Sequence, residues 1–178
     1  MPGGRIDSDR TFTPLGIAVL TISHSRDASN DTSGDLLAER ICAAGHRLRA
    51  RALVDTDKGD IQRQVRAWIE DAVIDVIITN GGTGLTDRDV APQAVRELFD
   101  KEIEGFSALW HLISYETVGV STLQSRACAG LAGSTVIYTL PGSTGACRDG
   151  WDKLISAQID SRHRPCSIVE VMQNFQKR

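Results

Sequence analysis

The chain has no long apolar run. Its most hydrophobic stretches, such as Leu15 to Ile22, are strand-sized and fall well short of the roughly 20 residues that a membrane-crossing helix needs. Residues 1 to 14 are polar and hold no apolar signal core, so the expectation is a cytoplasmic protein with no membrane association. Cysteine is sparse: Cys42, Cys128, Cys147 and Cys166 lie far apart with no C-x-x-C pair, which argues for reduced thiols and against a disulfide framework or a redox motif. His163 and Cys166 have a spacing that could reach one metal ion, but no second ligand pair is visible, and a surface turn around Pro165 accounts for the same residues. An excess of positive charge is also missing. A formal net charge of −3 argues against a general nucleic-acid or anionic-membrane binder while leaving room for a local basic pocket. There is no internal repeat and no low-complexity segment. With 41% hydrophobic and 24% charged residues in 178, the chain has a globular composition and enough length for one domain with its own core.

What is present centres on Val76 to Val95, V-I-I-T-N-G-G-T-G-L-T-D-R-D-V-A-P-Q-A-V. The β-branched run Val76 to Thr79 suits a strand buried on both faces of a parallel sheet. Gly81, Gly82 and Gly84 then permit positive φ angles and let backbone N–H groups approach an anion, and Thr83 adds a hydroxyl. Asp87, Arg88 and Asp89 follow, and Pro92 starts a helix whose Val95, Leu98 and Phe99 are helically spaced. A tight turn after a buried strand explains the glycines equally well. The loop is not a P-loop, because Leu85 and Thr86 stand where Lys and Ser or Thr belong. It is not a dinucleotide fingerprint either, because Asp87 occupies the place of the third glycine, which argues against a nicotinamide oxidoreductase.

Taken in order, residues 1–13 are expected to be a mobile arm and residues 14–178 a single domain. Leu15 to Ile22 reads as a first buried strand, ending in a polar loop where an open α/β sheet usually keeps its ligand crevice. Ser33 or Thr32 can cap the next helix, with Leu37, Ile41 and Ala44 on one stripe. Leu48 to Val54 alternates with Arg47, Arg49 and Arg51, the pattern of a strand near a sheet edge. Asp55 closes that strand and serves either a ligand or the solvent, whereas Asp57 and Asp60 read as helix-start acids. Glu104 to Tyr115 spaces Phe106, Leu109, Trp110 and Ile113 as a helix, with Trp110 and Tyr115 candidates for a subunit contact. Ser121 or Thr122 is expected to cap a short helix ending at Gly130. Thr135 to Leu140 is a further strand that runs into Pro141, Gly142 and Ser143, repeating the strand, small-residue loop and helix of the central stretch. Two such loops at one end of a parallel sheet would share a crevice suited to phosphate. A short amphipathic segment, Ile168 to Phe175, is expected to pack on the body or on a neighbouring subunit.

The segments T-N-G-G-T-G-L-T-D-R-D-V-A-P, E-I-E-G-F, S-T-L-Q-S-R-A-C-A-G and L-P-G-S-T-G-A-C-R-D-G-W-D-K resemble the molybdenum-cofactor biosynthesis protein B family. That family is similar to the MogA-type molybdopterin adenylyltransferases and to gephyrin-like pterin-binding domains, and the match runs in order over about residues 14–166. The resemblance implies a three-layer α/β/α fold with a mostly parallel central sheet, assembled as a homotrimer or a homohexamer of two trimers. It implies binding of molybdopterin and Mg²⁺-ATP and transfer of AMP to the molybdopterin phosphate with release of pyrophosphate; the alternative is a non-catalytic molybdopterin-binding protein of the same pathway. By the same resemblance Asp55 and Asp89 fall on the catalytic acids, Asp89 also on a Mg²⁺ ligand. Ser33, Gly34 and Asp35, then Gly81, Gly82, Thr83 and Gly84, then Pro141, Gly142 and Ser143, fall on the walls of the nucleotide and pterin pocket. Ala91 stands where the family often has Thr; it is a poor N-cap, so Asp89 is expected to supply part of the capping or an N–H is left for ligand.

Overall fold

The computed structural model describes residues 4–174. Its strands in chain order are Arg5–Ile6 (β1), Gly16–Ile22 (β2), Arg47–Val54 (β3), Val76–Asn80 (β4), Lys101–Glu102 (β5), Cys128–Ala132 (β6), Thr135–Leu140 (β7) and His163–Arg164 (β8). The helices are Thr32–Ala43 (α1), Lys58–Glu70 (α2), Ala91–Arg96 (α3), Glu104–Val118 (α4), Thr144–Gly150 (α5), Ser156–Gln158 (α6) and Ile168–Gln173 (α7). Six strands form one sheet in the order β3-β2-β4-β7-β6-β5. The first four are parallel, and β6 and β5 continue the sheet antiparallel.

The sequence dictates that order. β2, β4 and β7 are uniformly apolar or β-branched and are buried at every position, as strands covered on both faces must be. β3 alternates arginine with apolar residues and takes the edge, where a bulge at Arg49 interrupts its register with β2. The bulge and the arginines discourage pairing with another chain. Side chains leave the strands alternately to the two faces. Ile17, Val19, Val76, Ile78 and Tyr138 meet α1, α4 and α5 through Leu37, Ile41, Phe106, Trp110 and Cys147. Ala18, Leu20, Ile77 and Ile137 meet α2 and α3 through Ile61, Val65, Trp68, Ala94 and Val95. Each fully buried Leu or Ile contributes about 1.5–3 kcal/mol, so this pair of cores fixes the sheet from both sides as a three-layer α/β/α fold.

Several expectations are corrected. Residues 4–13, expected within a mobile arm, are docked. β1 pairs antiparallel with β8, the Thr13 N–H donates to Ser161 Oγ at 2.8 Å, and Phe12 packs on His46 with ring centroids 5.1 Å apart. The segment expected as a short helix ending at Gly130 is a 3₁₀ turn, Gly119–Gln124, followed by strand β6. The small residues of C-A-G-L-A extend because Phe99 lies flat against Gly130 and Gly133, at φ +58°, turns the chain back into β7. α3 stops at Arg96, so Leu98 and Phe99 pack from a loop. α1 is capped by Asp31, which accepts the Gly34 N–H, and not by Thr32 or Ser33. Within α4, Phe106 and Trp110 are buried in the core, so Trp110 is not free for the subunit contact expected of it, whereas Tyr115 is 59% and Leu109 51% exposed. His163 and Cys166 form a turn, His163 Nδ1 lying 3.1 Å from the Cys166 carbonyl oxygen, and no cluster of metal-ligating groups occurs among the described residues. All four cysteines are free thiols. The C-terminal segment packs on the body through Val169 and Met172 of α7, while Phe175 lies outside the described residues. Among the described residues no helix is long and apolar enough to cross a membrane.

Candidate functional site

From β2 the chain passes to β3 on one side and then to β4 on the other. That reversal leaves a crevice beyond the strand ends, where open α/β sheets bind ligands. A cavity of about 560 Å³ lies there, the size of a small-molecule site. Its walls are Ile22 at the end of β2 and residues 23–26 after it, Gly81, Gly82, Thr83, Gly84, Thr86, Arg88 and Asp89 after β4, and Pro141 and Gly142 after β7, closed by Thr56, Gln124 and Ser125.

Glycine is required where these loops meet. Gly81 sits at φ +102°, and a Cβ there would lie 2.2 Å from the Ile22 carbonyl oxygen. Its N–H donates to the Leu140 carbonyl at 3.0 Å, so the turn after β4 is stitched to the end of β7. The helix beyond the loop is tied to it as well: the Ala91 N–H donates to the Gly82 carbonyl at 3.0 Å. No side chain caps α3, so Asp89 does not replace the absent threonine hydroxyl, and the Ala91 N–H is satisfied by the loop and not left for ligand.

A buried polar network supports the floor. Asp31, 2% exposed, accepts from Thr21 Oγ1 at 2.7 Å, from Arg51 Nη2 at 2.7 Å and from the Gly34 N–H at 3.0 Å. Burial alone would raise this carboxyl, but the bonds from Arg51, Thr21 and Gly34 outweigh it and hold it below the usual carboxylate range. Thr21 Oγ1 lies 3.1 Å from Asn80 Nδ2, and Asn80 Oδ1 accepts from Ser33 Oγ at 3.0 Å. Arg26 donates from one nitrogen to Ser33 Oγ and from the other to the Gly142 carbonyl at 2.9 Å, spanning from the first loop to the third.

Asp89 is the only carboxylate lining the cavity among the described residues. Its Oδ2 accepts from the Thr86 N–H at 2.9 Å and from Thr86 Oγ1 at 2.6 Å. Burial would raise it, yet the two Thr86 donors, the Gly84 N–H and nearby Arg126 hold it below the usual range. Arg126 donates through its backbone N–H to the Thr83 carbonyl at 3.1 Å, and through its side chain by Nε to the Gly84 carbonyl at 2.7 Å and by Nη2 to the Asp89 carbonyl. The nearby thiols are inert: burial pushes Cys147 up to about 12 and Cys128 up to about 11, and Cys147 Sγ lies 3.4 Å from the Pro141 carbonyl.

Of the residues singled out from the sequence, Gly81, Gly82, Thr83, Gly84, Asp89, Pro141 and Gly142 line this cavity. Ser33 and Gly34 are buried behind it. Asp35 is on the surface, paired with Arg51 at 2.5 Å. Ser143 caps α5 by accepting the Ala146 N–H at 3.2 Å. Asp55 is exposed and accepts the Thr56 N–H at 2.6 Å; it borders a separate cleft of about 550 Å³ beside α2 with Asp60 and Arg63, and only its neighbour Thr56 reaches the cavity. Asp57 caps α2 through the Asp60 N–H at 2.9 Å, as a helix-start acid should. Arg26, Asp31, Asn80 and Arg126 were not distinguished by sequence; Asn80 and Arg126 lie inside the T-N-G-G and S-R-A-C motifs, whereas Asp31 and Arg26 sit in a polar loop with no distinguishing pattern.

Residues 18–161 match the family described as "Probable molybdopterin binding domain". The molybdenum cofactor biosynthesis protein B of Escherichia coli K12 is 46% identical over 157 residues, covering 88% of this chain and 92% of that protein. A crystal structure of a molybdenum cofactor biosynthesis protein B superposes with a TM-score of 0.82 at 41% identity, over 84% of this chain and 94% of that one. The tungsten cofactor synthesizing protein of Pyrococcus furiosus superposes with a TM-score of 0.74 at 28% identity, over 92% and 98%.

Proposed function

Because this chain belongs to the molybdopterin-binding-domain family of molybdenum cofactor biosynthesis proteins, we propose that its cavity binds molybdopterin together with Mg²⁺-ATP and transfers AMP to the pterin's phosphate in the cytoplasm. The observation that carries the reading is the meeting of three loops, from the adjacent parallel strands β2, β4 and β7, around one cavity. A phosphate oxygen of molybdopterin attacks the α-phosphorus of ATP, the bond from that phosphorus to the β-phosphate bridging oxygen breaks, and pyrophosphate leaves with the electron pair. No side-chain nucleophile takes part. Positioning and charge neutralisation suffice, and Arg26, Arg88 and the Gly82 and Thr83 N–H groups of the glycine loop supply them. Mg²⁺ commonly takes one or two carboxylates and completes its shell with water and substrate phosphate, so the donor set fits, with Asp89 as the residue to hold it. When bound, the ion neutralises phosphate charge.

A second reading, pterin binding without transfer, is favoured by the position of Asp55 outside the cavity, which leaves Asp89 as its single acid. Pyrophosphate release from purified protein, molybdopterin, ATP and Mg²⁺ separates the two. Transfer predicts release, lowered about 100-fold by Asp89→Ala without an equal loss of folded protein. Molybdopterin binding without release selects the second reading, and absence of both overturns the site.

Assembly as a homotrimer or homohexamer is proposed to use the apolar stripe of Leu109, Leu112, Tyr115, Val118, Val120 and Leu123, each at least half exposed. Light scattering should give three or six chains per particle; a monomer would contradict this.

A further inference from the structure

We infer that Arg126 is a positioning residue for the cavity, acting on the ligand only through the backbone of the glycine loop and through Asp89. The inference rests on the phosphate-binding reading above and adds a residue to it. Arg126 does not line the cavity, although its neighbours Gln124 and Ser125 do. It grips the loop at both ends instead. Its guanidinium holds the Gly84 carbonyl through Nε at 2.7 Å and the Asp89 carbonyl through Nη2, while the backbone N–H of the same residue holds the Thr83 carbonyl at 3.1 Å.

In a trans peptide the C=O and the following N–H point in opposite directions. Turning the Gly84 carbonyl toward the guanidinium therefore turns the Leu85 N–H away from it. The Asp89 carboxylate lies against Gly84, and the Thr86 N–H and hydroxyl grip it there at 2.9 and 2.6 Å. Residues 84–89 become a closed ring whose two ends are held by one guanidinium. Space in the ring is minimal: a Cβ on Gly84 would lie 2.8 Å from Asp89 Oδ2. Lysine cannot substitute, because a single ammonium lacks the planar fork that reaches Gly84 and Asp89 together. Arg126 thus sets where Asp89 stands relative to the phosphates, and its loss should appear in turnover before it appears in global stability.

The test compares wild type, Arg126→Ala and Arg126→Lys with molybdopterin, ATP and Mg²⁺ as probes, following pyrophosphate release, and reads amide hydrogen exchange on the free proteins. Arg126→Ala should turn over about tenfold more slowly or worse, the loss of hydrogen bonds to a charged group. Millimolar guanidinium should restore part of that turnover; methylammonium and Arg126→Lys should not. Exchange at Thr86, Asp89 and Ala91 should quicken while strand β4 keeps its protection. Arg126→Ala with wild-type turnover overturns the inference alone. Turnover that falls only in proportion to lost folded protein, without guanidinium rescue, reduces Arg126 to a structural staple and also overturns it. A wild type that neither binds molybdopterin nor releases pyrophosphate overturns the phosphate-binding reading, and the inference with it.

Discussion

Replacing Asp31 by alanine strips the acceptor from Thr21, from Arg51 and from the Gly34 N–H in a site only 2% exposed. Arg51 is 31% exposed and keeps Asp35, so the loss is that of hydrogen bonds to a charged group, about 1.5–3 kcal/mol. Asp35→Ala, which removes a pair with the same arginine at the surface, should stay within about 0.5 kcal/mol. Chemical denaturation of the two variants checks the contrast, and equal losses would refute it. The folded-state pKa of Asp31 is depressed, so its contribution is present above the ordinary value of 3.8 and is lost as pH falls through the folded value. Wild type should therefore lose stability more steeply than Asp31→Ala as pH falls from 3.8 to the folded value. The glycines were legible because backbone freedom is written in the residue type, and Asp89 through the resemblance of its R-D-V segment, which acidity alone would not have separated from Asp55. Asp31, Arg26 and Arg126 were not, because their roles depend on partners 20, 116 and 42 positions away.

At the scale of elements, Ser143 belongs to α5 and not to the cavity wall. Ser143→Ala should cost about 1 kcal/mol through the lost N-cap and leave molybdopterin affinity within about twofold. Denaturation and equilibrium binding read both; weakened binding at unchanged stability would return Ser143 to the pocket. β2, β4 and β7 were legible as runs of apolar and β-branched residues, and β3 as an edge strand by its alternation. β6 was not. C-A-G-L-A carries neither strand period nor β-branching, and its extension is imposed from outside by pairing with β7 and by the ring of Phe99 on Gly130. The two-residue β5 exists only through its pairing with β6.

For the whole molecule, the parallel arrangement of β2, β4 and β7 is what brings their loops to one end, and that followed from strand, loop and helix recurring along the chain. The docking of β1 on β8 did not follow, since it pairs Arg5 with Arg164 and Ile6 with His163 and neither end carries a strand pattern of its own. The central claim is that the three loops form a single ligand site. Hydrogen exchange of the protein with and without molybdopterin tests it most directly. Slower exchange at residues 22–26, at residues 81–89 and at Gly142 together, with the cleft of Leu53, Asp60 and Arg63 unchanged, is the predicted result. Protection confined to that cleft, or to one of the three loops alone, would contradict the account.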